Sequence, residues 1–285
     1  MNASVEVPDT SPDLAIQLYQ RGRISRIWAR LGPYSLTLGI AIALAAAWEI
    51  ASGRIISEVF VSKPSAIWAS FLVLTETGKF SYHLPITIQE AAFGFVIGTA
   101  GGVLLGLMTG RVEFLAKAIT PFVIGFYTMP KLALAPLFII WFGIAAEMKI
   151  ALTSTVVFFP VYMVTFAGMR EVSQELLGIT QVMGASRFYA FSRVILPSTL
   201  VWLFVGLKQS VPYALLGAVV GELIASNRGM GFLMRQATGS FDTATLFAAL
   251  FVLVAIGYGS YEFLRFLEGR LLWWKKSGDG TPGTM

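Results

Sequence analysis

Ile88-Gln-Glu-Ala-Ala-Phe-Gly-Phe-Val-Ile-Gly-Thr-Ala-Gly-Gly-Val-Leu-Leu-Gly-Leu-Met-Thr109 is long and apolar enough to cross a bilayer as one helix. The hydrocarbon core is about 30 Å thick and a helix rises about 1.5 Å per residue, so about 20 apolar residues suffice. Gly94, Gly98, Gly101, Gly102 and Gly106 recur through the run. They either let a second helix approach closely or merely relieve crowding.

Similar runs lie on both sides. Ser35 to Ser52 reads as a first span and Met148 to Gly168 as a fourth, with Pro160 inside it. A fifth opens after Pro197 and ends near Glu222, and Thr243 to Arg265 is the last. Between the second and fourth, Ala118 to Phe142 carries Pro121, Pro130 and Pro136. Proline removes a donor and clashes with the preceding turn, so this third segment is expected to break near Tyr127-Thr128-Met129-Pro130-Lys131. Ala66 to Leu74 and Phe232 to Gly239 read as short helices that do not span. The expectation is an all-α polytopic membrane protein with about six spans.

Composition agrees. Of 285 residues, 56% are hydrophobic and only 13% charged, and the mean hydropathy is +0.72. A soluble domain carries about 25% charged residues. The net charge of +5 comes from scattered Lys and Arg, without the basic stripe that nucleic acid requires. Membrane lipid is the expected surroundings. With no cysteine, disulfides and thiolate metal sites are excluded.

Residues 1–33 are polar and then arginine-rich, and the apolar run after them is too long for a cleavable signal. They are expected to form a cytosolic tail, with a transmembrane domain over 34–270 and a second tail over 271–285. The larger basic set supports this orientation: Arg21, Arg23, Arg26, Arg30, Arg111, Lys117, Arg170, Arg187, Arg193, Arg265, Arg270, Lys275 and Lys276. Arg54, Lys63, Lys79, Lys149, Arg228 and Arg235 would then lie outside. Both termini are therefore expected in the cytosol. Trp273-Trp274-Lys275-Lys276 reads as an interfacial anchor.

The polar stretch 169–197 separates the fourth and fifth spans. Glu171 to Met183 reads as one helix, Gly184 as a tight turn, and Ser186 as the N-cap of a second short helix. Phe188, Phe191 and Ile195 fall together at helical spacing, with Arg187 and Arg193 free to reach polar surroundings. Pro197 suits the first turn of the next span. Such an elbow with an aromatic knob fits a groove on another protein.

This segment resembles the "EAA" coupling loop of bacterial ABC importer permeases. That pattern runs Glu-Ala-Ala, three residues, Gly, nine residues, Ile, one residue, Leu-Pro. Gly184 and Leu196-Pro197 match, Val194 takes the Ile position, and Gly178, Ile179 and Thr180 depart from Glu-Ala-Ala. The departure removes the glutamate that holds the loop against the ATPase in the family. Further stretches resemble the nitrate/sulfonate/taurine branch: Pro64-Ser-Ala-Ile-Trp68, Met129 to Gly143, Phe159-Pro160, Ala167-Gly168, Gly221-Glu222 and Gly229-Met-Gly231. The branch often has proline where Lys131 stands.

The resemblance implies a type I importer permease in a bacterial inner membrane. It further implies a second permease copy, giving a homodimer, two cytosolic ABC ATPases, and a periplasmic or tethered substrate-binding protein delivering a small solute. It assigns Gly184, Ala185, Ser186, Arg187, Phe188, Phe191, Leu196 and Pro197 to the coupling loop. No Gly-x-x-x-x-Gly-Lys-Ser/Thr phosphate loop occurs, and Gly78-Lys79 lacks the upstream glycine. This chain is thus expected to be non-catalytic and without a cofactor of its own, with ATP and Mg bound by the partner ATPases.

Polar or helix-breaking groups at membrane depth are the candidates for the translocation path. Tyr127, Met129, Pro130 and Lys131 mark the break. Lys208 is costly in lipid, so it either lines a wet cavity or pairs with a carboxylate such as Glu222. Glu222 itself reads as a gate, a structural acceptor or a solute ligand. His83 is expected in an external loop, in a surface or packing role. The alternatives are a membrane-integral enzyme, which would need clustered ionisable groups that the linear sequence does not display, and a secondary transporter or structural membrane subunit.

Overall fold

The computed structural model describes residues 35–274. The expected tails over 1–33 and beyond Trp274 lie outside the described residues. Two compact units divide the chain, residues 1–66 and 67–285.

In the first unit, helix α1 covers Ser35–Ala51. The turn after it is held by the Lys63–Glu58 ion pair and by a hydrogen bond from the Ser52 hydroxyl to the Val61 carbonyl. Glu49 receives Ser65 through both its backbone N–H, at 3.0 Å, and its hydroxyl, at 2.6 Å. Helix α2, Pro64–Glu76, begins in this unit and continues into the second.

The second unit is built on three long helices: α3 (Lys79–Arg111), α6 (Ala146–Arg170) and α9 (Leu196–Ala225). The glycine run of α3 is a seam against α6. A Cβ placed at Gly98 would stand 2.5 Å from the Ser154 carbonyl, and one at Gly102 would stand 2.7 Å from that of Phe158. Only hydrogen fits there, so the close-approach reading of these glycines is the observed one. Val157 and Val161 of α6 then pack on Ala214 of α9.

The expected break is present. Helix α4, Glu113–Thr128, meets the segment Lys131–Phe142 at an 87° bend. That segment starts as a 3-10 turn, Lys131–Leu134, and becomes α5, Ala135–Phe142. Pro121 stays inside α4 and Pro136 sits in the first turn of α5, where a missing N–H costs nothing. The break falls at Pro130 because proline drives its predecessor out of the helical region, and Met129 is extended with ψ of 137°.

The remaining elements are α7 (Gln174–Val182), α8 (Arg187–Ala190), a π-helical turn (Phe191–Ile195) leading into α9, α10 (Met230–Gly239) and α11 (Thr243–Leu271). The first of the paired loop helices starts later than expected. Helix α6 runs on to Arg170, and Ser173 caps α7 by accepting from Leu176 N–H at 3.3 Å.

The expectation of six spans is not met among the described residues. Helices α3, α6, the continuous helix from Arg187 to Ala225, and α11 are long and apolar enough to cross a membrane, and the bent pair adds a fifth if it counts as one span. Helix α1 is apolar but short against a hydrocarbon core of about 30 Å. Among the described residues the architecture is all-α, built on these long apolar helices.

Candidate functional site

At one end of the second unit lies the elbow. Gly184 adopts φ of +74°, a left-handed value that glycine reaches without a Cβ clash. Its N–H donates to the Gln181 carbonyl and that of Ala185 to the Thr180 carbonyl, both at 2.9 Å, closing α7. Ser186 then caps α8 by accepting from Tyr189 N–H at 3.2 Å, as its residue type predicts.

The three expected knob residues separate. Ile195 is buried and Phe191 packs with it against Met169 and Val172. The Arg111 guanidinium lies 5.3 Å from the Phe191 ring centroid, tying the end of α3 to the elbow. Phe188 is 78% exposed, and Val182, Met183 and Tyr189 are exposed with it. Phe188 stands in the first turn of α8, ahead of the π turn that begins at Phe191, and is not among the residues packed with Met169, Val172 and Ile195. Leu196 and Pro197 open α9 directly from that turn.

At the break, Lys131 folds back on its own element. Its ammonium donates to the Tyr127 carbonyl at 2.7 Å and lies 4.8 and 4.9 Å from the ring centroids of Tyr127 and Phe159. The carbonyl freed by the break thus finds a charged donor, and the cation finds two aromatic faces.

At the opposite end of α3, α6 and α9 from the elbow is a buried polar cluster. Glu222 is fully buried and accepts the Thr87 hydroxyl at 2.7 Å and Gly231 N–H at 2.6 Å. Thr87 in turn accepts Met230 N–H at 2.7 Å, and His83 Nδ1 accepts Gly229 N–H at 3.0 Å. Gly229 has φ of +99°, and a Cβ there would lie 2.1 Å from Glu222 Oε1. Glu90, next to Glu222, stands 3.5 Å from the Lys149 ammonium, and both Glu90 and Lys149 are only 3% exposed.

Several expectations change here. His83 is not in a loop but inside α3, and its role is packing and backbone capture. Lys149, counted only toward orientation at the head of the fourth span, is a buried member of the first turn of α6. Lys208 pairs with Glu268 of α11 at 2.6 Å rather than with Glu222. Sequence reading missed Glu90, Thr87 and Lys149. The available signal was Glu90 inside an apolar run and Lys149 at the head of another, where an ionisable group is costly unless paired.

The long apolar helices and the bent pair define a multi-pass membrane protein. Over 74% of this chain and 98% of the other, the structure is similar to an inward-facing form of the MetNI methionine ABC transporter, with a TM-score of 0.53 and 21% identity, a likeness of fold. Residues 102–272 match the family described as binding-protein-dependent transport system inner membrane component, and the chain belongs to that family. The formylaminopyrimidine transport permease ThiX of Halalkalibacterium halodurans is 33% identical, over 80% of this chain and 91% of its own. A putative aliphatic sulfonates transport permease, SsuC of Bacillus subtilis, is 34% identical over 82% and 86%. The taurine transport permease TauC of Escherichia coli is 28% identical over 88% and 94%. The chain is accordingly a non-catalytic ABC importer permease of the nitrate/sulfonate/taurine family.

Proposed function

We propose that this permease imports a small organic or inorganic anion, such as a sulfonate, taurine or nitrate. It acts as a homodimer with two cytosolic ATPases that bind ATP and Mg, and receives the solute from a periplasmic or tethered binding protein. The names of its sulfonate and taurine relatives support the solute class. Both termini then lie in the cytosol. The transmembrane domain covers 34–270 between tails 1–33 and 271–285, and residues 169–197 form the cytosolic coupling loop.

One observation carries the reading: the Gly184 elbow presents an exposed Phe188 while Phe191 and Ile195 fasten its far side to the ends of α3 and α6. Closure of the ATPase pair pushes on Phe188. The short α8 and the π turn pass that displacement into α9, and the central cavity changes the side to which it opens. Gly184, Ala185 and Ser186 set the bend, Arg187 and Phe188 meet the ATPase, and Leu196 and Pro197 start the moving span.

Replacing Gly184 with Trp places a side chain on a left-handed residue and should reduce uptake by at least about tenfold while ATP hydrolysis continues. The measurement is paired uptake and ATPase assays on the reconstituted complex; normal uptake sinks the assignment. Tyr127, Met129, Pro130 and Lys131 supply the solute-lining break on this reading, with Glu222 as a structural gate. Lys208 is a structural partner of Glu268. Lys131→Gln, at matched expression, should raise the half-saturating solute concentration; unchanged kinetics removes Lys131 from the path.

A further inference from the structure

Beside the buried polar cluster, a cavity of about 330 Å³ opens among the first turns of α3, the start of α6 and the turn between α9 and α10. Its lining includes Tyr82, Lys149, Asn227 and Arg228, together with the 144–146 turn. No acidic side chain belongs to that lining. Its polar groups are two cations, one amide and one phenol, which can all donate hydrogen bonds.

Two details bear on what it takes. The Lys149 ammonium is held by the Ile144 carbonyl at 3.3 Å and by Glu90 at 3.5 Å. Both are long against the 2.7–2.9 Å of a good charge-assisted bond, so the ammonium keeps donor capacity. Helix α6 also begins here without a side-chain cap, and Ala145 and Ala146 at its start line the cavity. Its first N–H groups carry the positive end of the helix dipole. Glu147 in that turn is exposed and outside the lining.

We infer that this cavity is a binding site for a small oxyanion, held by Arg228 and Lys149 with Tyr82 and Asn227 as neutral donors. Glu90 stands 3.5 Å from Lys149 and within electrostatic reach of Arg228, but neither Glu90 nor Glu222 lines the cavity, so the two cations present donors to it without a competing carboxylate in the lining. Arg228 is exposed, which suits capture from the aqueous phase, whereas Lys149 is almost fully buried and suits retention. The site deepens the proposed transport function, on which its role as a waiting position for the solute rests; the binding itself does not depend on that function. A sulfonate headgroup and a lipid phosphate share the chemistry the site recognises.

The test uses the full chain in nanodiscs of phosphatidylcholine, titrated with radiolabelled ethanesulfonate, with inorganic sulfate as competitor. Saturable, sulfate-competed binding that weakens about tenfold or more in Arg228→Gln, and measurably in Tyr82→Phe, supports a soluble anion. Both replaced side chains are exposed, so these variants should fold. In a second arm, phosphatidylglycerol is added to the nanodiscs. Arg228-dependent retention of that lipid, with no ethanesulfonate binding in either membrane, supports the same site with a lipid source. Neither ligand retained, or equal retention in wild type and Arg228→Gln, overturns the proposal. Failure here with an uncoupled Gly184→Trp variant would leave the transport function standing; the reverse pair of results would leave the anion site standing.

Discussion

Glu222 shows how much one buried carboxylate can organise. It satisfies a hydroxyl from α3 and a backbone N–H from the first turn of α10. Gly229 sits so close that any side chain there would displace it. Glu222→Ala should therefore strand two buried donors and cost about 3 kcal/mol, read as a lowered unfolding temperature in detergent. Glu222→Gln keeps a carbonyl acceptor and should recover part of that loss. Equal losses for both variants would mean that the hydrogen bonds are not what Glu222 contributes. Sequence inspection names Glu222 readily, because it is an acid at membrane depth, but Thr87 looks like any threonine in an apolar run. Its partners are 135 and 143 positions away, and only folding brings them together.

The elements divide into a tight seam and a bracing pair. The α3–α6 seam depends on absent side chains, since a Cβ at Gly94 would lie 2.4 Å from that of Thr153. Gly98→Leu should force α3 and α6 apart and cost more than about 3 kcal/mol, whereas substitution at Gly125, with open space around it, should change unfolding by less than about 1 kcal/mol. Glycine spacing offered the seam as one of two readings in sequence, and only the packing of α6 against α3 chose between them. The bracing pair was half legible. Lys208 needed a partner, but with Glu268 sixty residues on, no local pattern selected it over Glu222. Lys208→Glu alone should destabilise the protein, and adding Glu268→Lys should restore at least half of the lost unfolding temperature; no recovery would show the pair to be incidental.

At the largest scale, the elbow and the cavity lie at opposite ends of α3, α6 and α9 in the second unit, and are proposed to carry different jobs. The exposed residues at the elbow, Val182, Met183, Phe188 and Tyr189, form an apolar surface that a soluble partner can cover. The chain has no cysteine, so Phe188→Cys gives a single labelling position. Maleimide should modify it rapidly in the isolated permease and at least about tenfold more slowly in complex with the ATPase, as burial in an interface excludes reagent. Equal rates in both states would remove Phe188 from the coupling contact.

Length and polarity of the apolar runs settled by themselves that the backbone is helical and membrane-embedded, because a bilayer offers unpaired peptide groups no partner. The order of motifs around Gly184 and Pro130 likewise marked the elbow and the broken helix, since glycine and proline act through their own local dihedrals. The sharpness of the bend after Thr128, the exposure of Phe188, and the meeting of Glu90, Lys149 and Glu222 were decided only in three dimensions. Each of those depends on which side chains distant segments bring within a few ångströms, and electrostatic and hydrogen-bond energies fall off too steeply with distance for sequence spacing to stand in for it.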